Sequence, residues 1–228
     1  YANRIAGGTY TIGEETYSFP QNNNGQTLHG GLIGLDMVVW NVEKVTDSSI
    51  VLSYLRPDGQ DGMPGHVGIT MTYTLAPENG FKVDYTASTD KSTHVNISHH
   101  SFFNLKGEGC GSIEDLVMVI NASGITPVNE VLIPSGEIMD VTGTPFDFRT
   151  PHTIGERTGA DDIQLGYGKG YDHNWVIDHE GDGVEFAASV YEPASGRKLS
   201  VYTDQPGMQF YSGNFFDGST CGKYNRPL

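Results

Sequence analysis

Between Val67 and Ala87 the chain alternates apolar and small polar side chains. Val67, Ile69, Met71, Tyr73 and Leu75 interleave with Gly68, Thr70, Thr72 and Thr74, and Phe81, Val83, Tyr85 and Ala87 follow beyond Asn79-Gly80. Successive strand side chains leave on opposite faces, so the stretch predicts an antiparallel hairpin turning at Asn-Gly with one face buried. Shorter β-prone runs flank it. Thr9 to Ile12 and Thr16 to Phe19 read as a hairpin around Gly13-Glu14-Glu15, and Met37 to Val45 and Ser49 to Leu55 as strands joined across Thr46-Asp47-Ser48. Downstream, Leu116 to Ile120, Asn174 to Ile177, Val184 to Val190, Leu199 to Val201 and Met208 to Tyr211 carry the same signal. Ile154 to Arg157 reads as one helical turn, and no amphipathic helix of ordinary length is visible. About ten antiparallel strands with so little helix predict an all-β fold, a large antiparallel β-sandwich, since a single sheet of that size curls or splits.

One run departs from core patterning. In His94 to Leu105, HVNISHHSFFNL, strand geometry would put His94, Asn96, Ser98 and His100 on one face and Val95, Ile97 and His99 on the other. A polar face of this kind lines a wet pocket, or is a solvent-facing strand whose histidines do nothing. The predicted loops hold further polar groups. Gln21 to Gly31, QNNNGQTLHGG, has too many Asn and Gly residues for a strand or helix, and it presents His29 as either a functional ring or a turn-stabilising one. Residues 121 to 170 contain several Pro and Gly breaks, and so long an irregular stretch usually carries or covers a site, with Phe146 and Phe148 pinning it to the core. Asp172 follows in Gly170-Tyr171-Asp172-His173. Trp175, in an apolar strand, is expected in the core rather than stacked on a ligand.

Composition narrows the partners. A chain of 228 residues buries a substantial core, and a single domain over 1–228 is expected. The net charge of -15, from 28 acidic against 13 basic residues, repels phosphate backbones and anionic lipid. No nucleic acid and no membrane partner is therefore expected, and a small neutral or cationic molecule fits better. Nor does any apolar run approach a membrane span. Cys110 and Cys221 lie in Gly-containing loops without CxxC spacing, which favours a reducing compartment and a cytoplasmic location. The chain starts at Tyr1 without Met, and neither end reads as a domain boundary, so an interior portion truncated at both ends is expected. No metal is expected. His99 and His100 are adjacent and would point opposite ways on a strand, and no third ligand stands at useful spacing from His94.

Several stretches together resemble the aldose 1-epimerase (galactose mutarotase) family. They are Tyr1-Ala2-Asn3-Arg4-Ile5-Ala6-Gly7, Leu28-His29-Gly30-Gly31, Val95-Asn96 through His100 to Leu105, Thr144-Pro145-Phe146-Asp147-Phe148-Arg149, Gly170-Tyr171-Asp172-His173 and Gln205 to Asn214. They occur in the family's order and span the chain. The resemblance implies a β-super-sandwich and the cofactor-free interconversion of α and β anomers of free hexoses such as glucose and galactose, by a monomer or homodimer. It also implies roles. His100 resembles the general acid that protonates the ring oxygen, and His29 the second histidine near the reacting centre. Asn3 and Arg4 fall on a sugar-contacting pair, Asp172 on the carboxylate that holds ring hydroxyls, and Gln209 on a further polar contact. His99 and Phe102 stand where the family often has Asn and Tyr, and the family's general base, a Glu in a later motif, is expected beyond Leu228.

These residue types suit the chemistry. Anomers interconvert by ring opening, with a base at the anomeric hydroxyl and an acid at the ring oxygen, followed by closure on the other face of the aldehyde. An imidazole, with an ordinary pKa of about 6.5, exchanges that proton near neutrality. Arg4 offers paired donors and Asp172 paired acceptors to vicinal hydroxyls. Taken singly, Arg4 reads as a surface ion pair, Asp172 as a turn acceptor and Gln209 as a partner of neighbouring backbone. Two other functions compete: a sugar-binding or regulatory module without turnover, and a hexose-6-phosphate 1-epimerase. The second would want more cations than the six Arg of so acidic a chain.

Overall fold

The computed structural model describes residues 1–227. It is nearly all β, and the chain divides into two compact units, Tyr1–Ser101 and a second from Phe102 onward.

The first unit holds β1 (Arg4–Ile5), β2 (Thr9–Ile12), β3 (Glu15–Ser18), β4 (Thr27–Leu28), β5 (Asn41–Val45), β6 (Ser49–Arg56), β7 (Val67–Ala76) and β8 (Gly80–Thr89). β5 to β8 form an antiparallel meander in sequence order, while β2 pairs with β3 and β1 with β4. The predicted hairpin is β7 and β8, in register from Val67↔Thr89 to Ala76↔Gly80. Its turn is carried by left-handed Glu78 and Asn79, with Gly80 already in the strand. Burial is concentrated at one end. Val67 and Ile69 are enclosed, whereas Leu75 and Phe81 are exposed.

Beside that buried end, Arg56 is only 2% exposed. Its two terminal nitrogens donate to the carbonyls of Gln60 (3.2 Å), Met63 (3.1 Å), Pro64 (3.2 Å) and Gly65 (3.1 Å). A planar fork suits this, because several carbonyls can be reached at once without the side chain choosing among them. The irregular RPDGQDGMPG turn is thus gathered around a buried cation.

The second unit holds β9 (Val117–Ile120), β10 (Gly124–Thr126), β11 (Met139–Asp140), β12 (His152–Thr153), helix α1 (Ile163–Gly168), β13 (Asp172–Val176), β14 (Glu185–Tyr191), β15 (Lys198–Thr203) and β16 (Gly207–Tyr211). Two four-stranded antiparallel sheets result, in the orders β11-β10-β13-β16 and β12-β9-β14-β15. Inward residues of both, among them Met118 and Ile120 of β9, Ile125 of β10, Trp175 of β13 and Ala187 and Ala188 of β14, meet in one apolar core with Phe146, Phe148 and Tyr171. This is the expected sandwich. Trp175 is fully buried, and its indole N–H donates to the Phe146 carbonyl at 3.1 Å. The expected helical turn is also present, as a 3-10 turn over Ile154–Glu156.

Three local expectations are corrected. His94 to Leu105 is not a strand, because among the described residues no ladder of main-chain bonds runs along it; the Asn96 carbonyl instead accepts the Ala2 amide at 2.7 Å. Met37 to Trp40 precedes β5 rather than belonging to it, the Met37 amide closing a turn on Gly34. The stretch from Gln21 to Gly31 does contain a strand, β4, whose partner β1 lies in the first residues of the chain. Among the described residues no helix is long and apolar enough to cross a membrane.

Candidate active site

His29 is positioned by main chain drawn from two directions. β1 and β4 pair Arg4 with Leu28 and Ile5 with Thr27, and the His29 amide extends the pairing to the Asn3 carbonyl at 3.0 Å. Asn3 (φ 53°) and His29 (φ 50°) are both left-handed, an uncommon backbone for residues with a Cβ, which turns their side chains out of the ladder. Behind the turn, the Asn22 side chain accepts the Leu28 amide (2.7 Å) and donates to the carbonyls of Leu28 (3.1 Å) and Gly31 (3.0 Å). Asp61 accepts the amides of Leu32 (3.1 Å) and Ile33 (3.0 Å). Asn22 and Asp61 therefore brace LHGG from both sides, and neither was predicted. Their signal, Asn and Asp in Gly-rich loops, says that a turn is held but not which one.

The His29 ring is half-buried. Its Nδ1 lies 3.2 Å from the Tyr1 carbonyl. A carbonyl can only accept, so the proton sits on Nδ1 and leaves Nε2 with a lone pair in the neutral ring. Burial lowers its pKa below 6.5, partly offset by the Tyr1 hydrogen bond, and charge on His100 lowers it further. The His100 ring stands edge-on to it, with centroids 4.9 Å apart at 84°. Arg4 is aimed by Nε donating to Asn23 Oδ1 and a terminal nitrogen to Asn3 Oδ1, both at 3.2 Å. The first unit thus brings together Asn3, Arg4, His29 and His100.

The other histidines of the run go elsewhere. His94 packs on Tyr10 at 4.4 Å, and His99 meets Tyr73 (5.7 Å) and Phe81 (5.8 Å). His99 and His100 do face different neighbours, as expected, though in irregular chain. Among the described residues no group of three or more His, Cys, Asp or Glu side chains gathers as a metal set.

In the second unit, β13 alternates half-buried Asp172 and Asn174 with buried His173 and Trp175. The inward residues fix the face of the outward ones. Tyr171 and Trp175 donate to the carbonyls of Pro145 (3.0 Å) and Phe146 (3.1 Å), so Thr144-Pro145-Phe146 serves as a core anchor for this strand. β16 is the neighbour, in register Asp172↔Tyr211 and Asn174↔Gln209. The Gln209 side-chain amide reaches diagonally to Asp172 Oδ1 at 2.8 Å. Asp172 and Gln209 therefore form a second polar pair, in a different unit from the histidines.

Comparison with known proteins gives this arrangement its family. A sequence model described as aldose 1-epimerase matches residues 1–226. Galactose mutarotase of Sus scrofa is 43% identical over 223 residues, which are 97% of this chain and 63% of that protein. Aldose 1-epimerase of Escherichia coli (strain K12) is 38% identical over 219 residues, 96% of this chain and 63% of that protein. The crystal structure of galactose 1-epimerase from Lactobacillus acidophilus superposes with a TM-score of 0.84 at 31% identity, covering 99% of this chain and 67% of that one. The chain spans 63% of the length of these curated relatives. With a family match over nearly every residue and a shared fold, the chain belongs to the aldose 1-epimerase family.

Proposed function

We propose that this protein is an aldose 1-epimerase that interconverts the α and β anomers of a free hexose such as galactose or glucose. The observation that carries the reading is the imidazole pair. His29 has its Nδ1 committed to the Tyr1 carbonyl and is kept neutral by burial, while the exposed ring of His100 stands against it. Two histidines in contact repel if both are charged, so the buried one stays neutral as a hydrogen-bonding group, and the acid role goes to His100. His100 then protonates the ring oxygen as the anomeric C–O bond opens, and retakes the proton when the ring closes on the other face. His29 holds the sugar near the reacting centre through Nε2.

The remaining residues bind. Arg4 and Asn3 donate to sugar oxygens, and Asp172 and Gln209 offer an acceptor and a donor to ring hydroxyls. A base must also take the anomeric proton. No step calls for a cofactor. The names of the relatives favour free galactose over a phosphorylated sugar, and free, exposed Cys110 and Cys221 accord with a cytoplasmic protein.

Polarimetry of freshly dissolved α-D-galactose, in the presence of the protein, tests this reading. Acceleration of mutarotation is expected, reduced roughly 10²- to 10⁴-fold in His100→Ala, the usual contribution of one positioned proton transfer. Undiminished acceleration in that variant would remove His100 from its role. Binding without acceleration by the unaltered protein would favour a sugar-binding module.

A further inference from the structure

Beyond β16 the chain folds back over the segment that leads into Asp172. The Asn214 side-chain amide donates to the carbonyls of Gly168 (3.0 Å) and Tyr171 (2.7 Å), and its oxygen accepts from the Ser212 hydroxyl. The Ser212 Oγ in turn accepts the Tyr171 amide at 3.1 Å, and the Ser212 amide donates to the Tyr171 carbonyl at 3.0 Å. Both main-chain groups of the residue before Asp172 are thus held. The fit is close. Gly170 has φ +132°, and a Cβ there would stand 2.6 Å from Asn214 Oδ1, so a side chain at 170 would push the Asn214 amide out of its place. The Asp172 amide is meanwhile engaged by Nδ1 of His173 at 3.2 Å, which leaves this clamp to fix the peptide that precedes it.

We propose that Asn214 is a positioning residue for the sugar site: through the Gly168 and Tyr171 carbonyls it sets the direction in which Asp172 presents its carboxylate to ring hydroxyls. Asn214 itself does not touch the sugar. The proposal rests on the reading of Asp172 as a sugar ligand, and the test separates the two.

Calorimetry of D-galactose binding is carried out on the whole protein and on Asn214→Ala, Asn214→Asp, Asp172→Ala and the double variant Asn214→Ala/Asp172→Ala. Near-ultraviolet circular dichroism of the buried Trp175 confirms that each is folded. Asn214→Asp keeps the acceptor for Ser212 and loses both donors, so it serves if the alanine variant does not fold. Loss of the clamp is expected to raise Kd about tenfold, with KM rising and kcat within about twofold. The double variant is expected to bind no more weakly than Asp172→Ala alone. An additive loss overturns the proposal, because Asn214 would then act by another route.

If Asp172→Ala leaves binding unchanged, the assignment of Asp172 as a ligand fails. The positioning claim is then decided by the Gln209 side-chain amide signals in a ¹H–¹⁵N spectrum, since that amide donates to Asp172. Their displacement in Asn214→Asp supports the clamp, and unmoved signals overturn it.

Discussion

His173 sits one residue from a proposed sugar ligand and is 1% exposed. Its ring packs edge-on against Phe146 at 4.7 Å, and its Nδ1 accepts the Asp172 amide, which puts the proton on Nε2. Burial pushes its pKa down to about 4. The unfolded chain takes up a proton near pH 6.5 that the folded chain refuses until about pH 4. Stabilisation from the neutral ring is therefore complete above about pH 6.5 and lost as the pH falls through this window, an effect of about 3 kcal/mol. Urea midpoints measured at both ends of the window should drop less in His173→Gln, which stays neutral, than in the unaltered protein. Parallel drops would mean that the acid sensitivity lies in another group.

At the scale of elements, α1 is the least expected feature. It has only six residues, two of them Gly, and is started by Asp162, whose Oδ1 accepts the amides of Gln164 (2.8 Å) and Leu165 (3.3 Å). Removing such a cap costs about 1 kcal/mol. Asp162→Ala should lower the urea unfolding free energy by that amount, and a change under a few tenths would show that packing alone holds the turn. This packing is long-range. The buried Gln164 side chain accepts the Val128 amide (2.7 Å) and donates to the Val128 carbonyl (2.9 Å). Neither contact is visible in the local sequence, which has no helical periodicity. The β7–β8 hairpin was legible because its alternation and its turn are local. β1 and β4 were hidden by Asn and Gly that suit their loop, and 94 to 105 had the composition of a strand but joins no ladder among the described residues. The site shows the same division. Asn3, Arg4, His29, His100, Asp172 and Gln209 are proposed for it through a family resemblance, whereas Tyr1, Asn22 and Ser212 bond to the main chain or side chains around them from other parts of the sequence.

For the whole molecule, 28 acidic residues against 13 basic ones leave a net charge of -15. The ion pairs do little against this: Lys82–Asp84 and Lys91–Asp58, for example, are largely solvated, and such pairs contribute little. Self-repulsion should dominate, and it is screened once the Debye length falls to about 10 Å near 0.1 M salt. The thermal midpoint is expected to rise as sodium chloride is added from low ionic strength. A fall would show that the ion pairs outweigh the repulsion.

The guanidinium of Arg56 adds a different behaviour to the same molecule. Asp61, which steadies the chain just after His29, belongs to the loop that Arg56 draws in through four carbonyls. All four of those acceptors are peptide oxygens rather than carboxylates, so salt that screens the exposed ion pairs leaves this mooring of the loop in place.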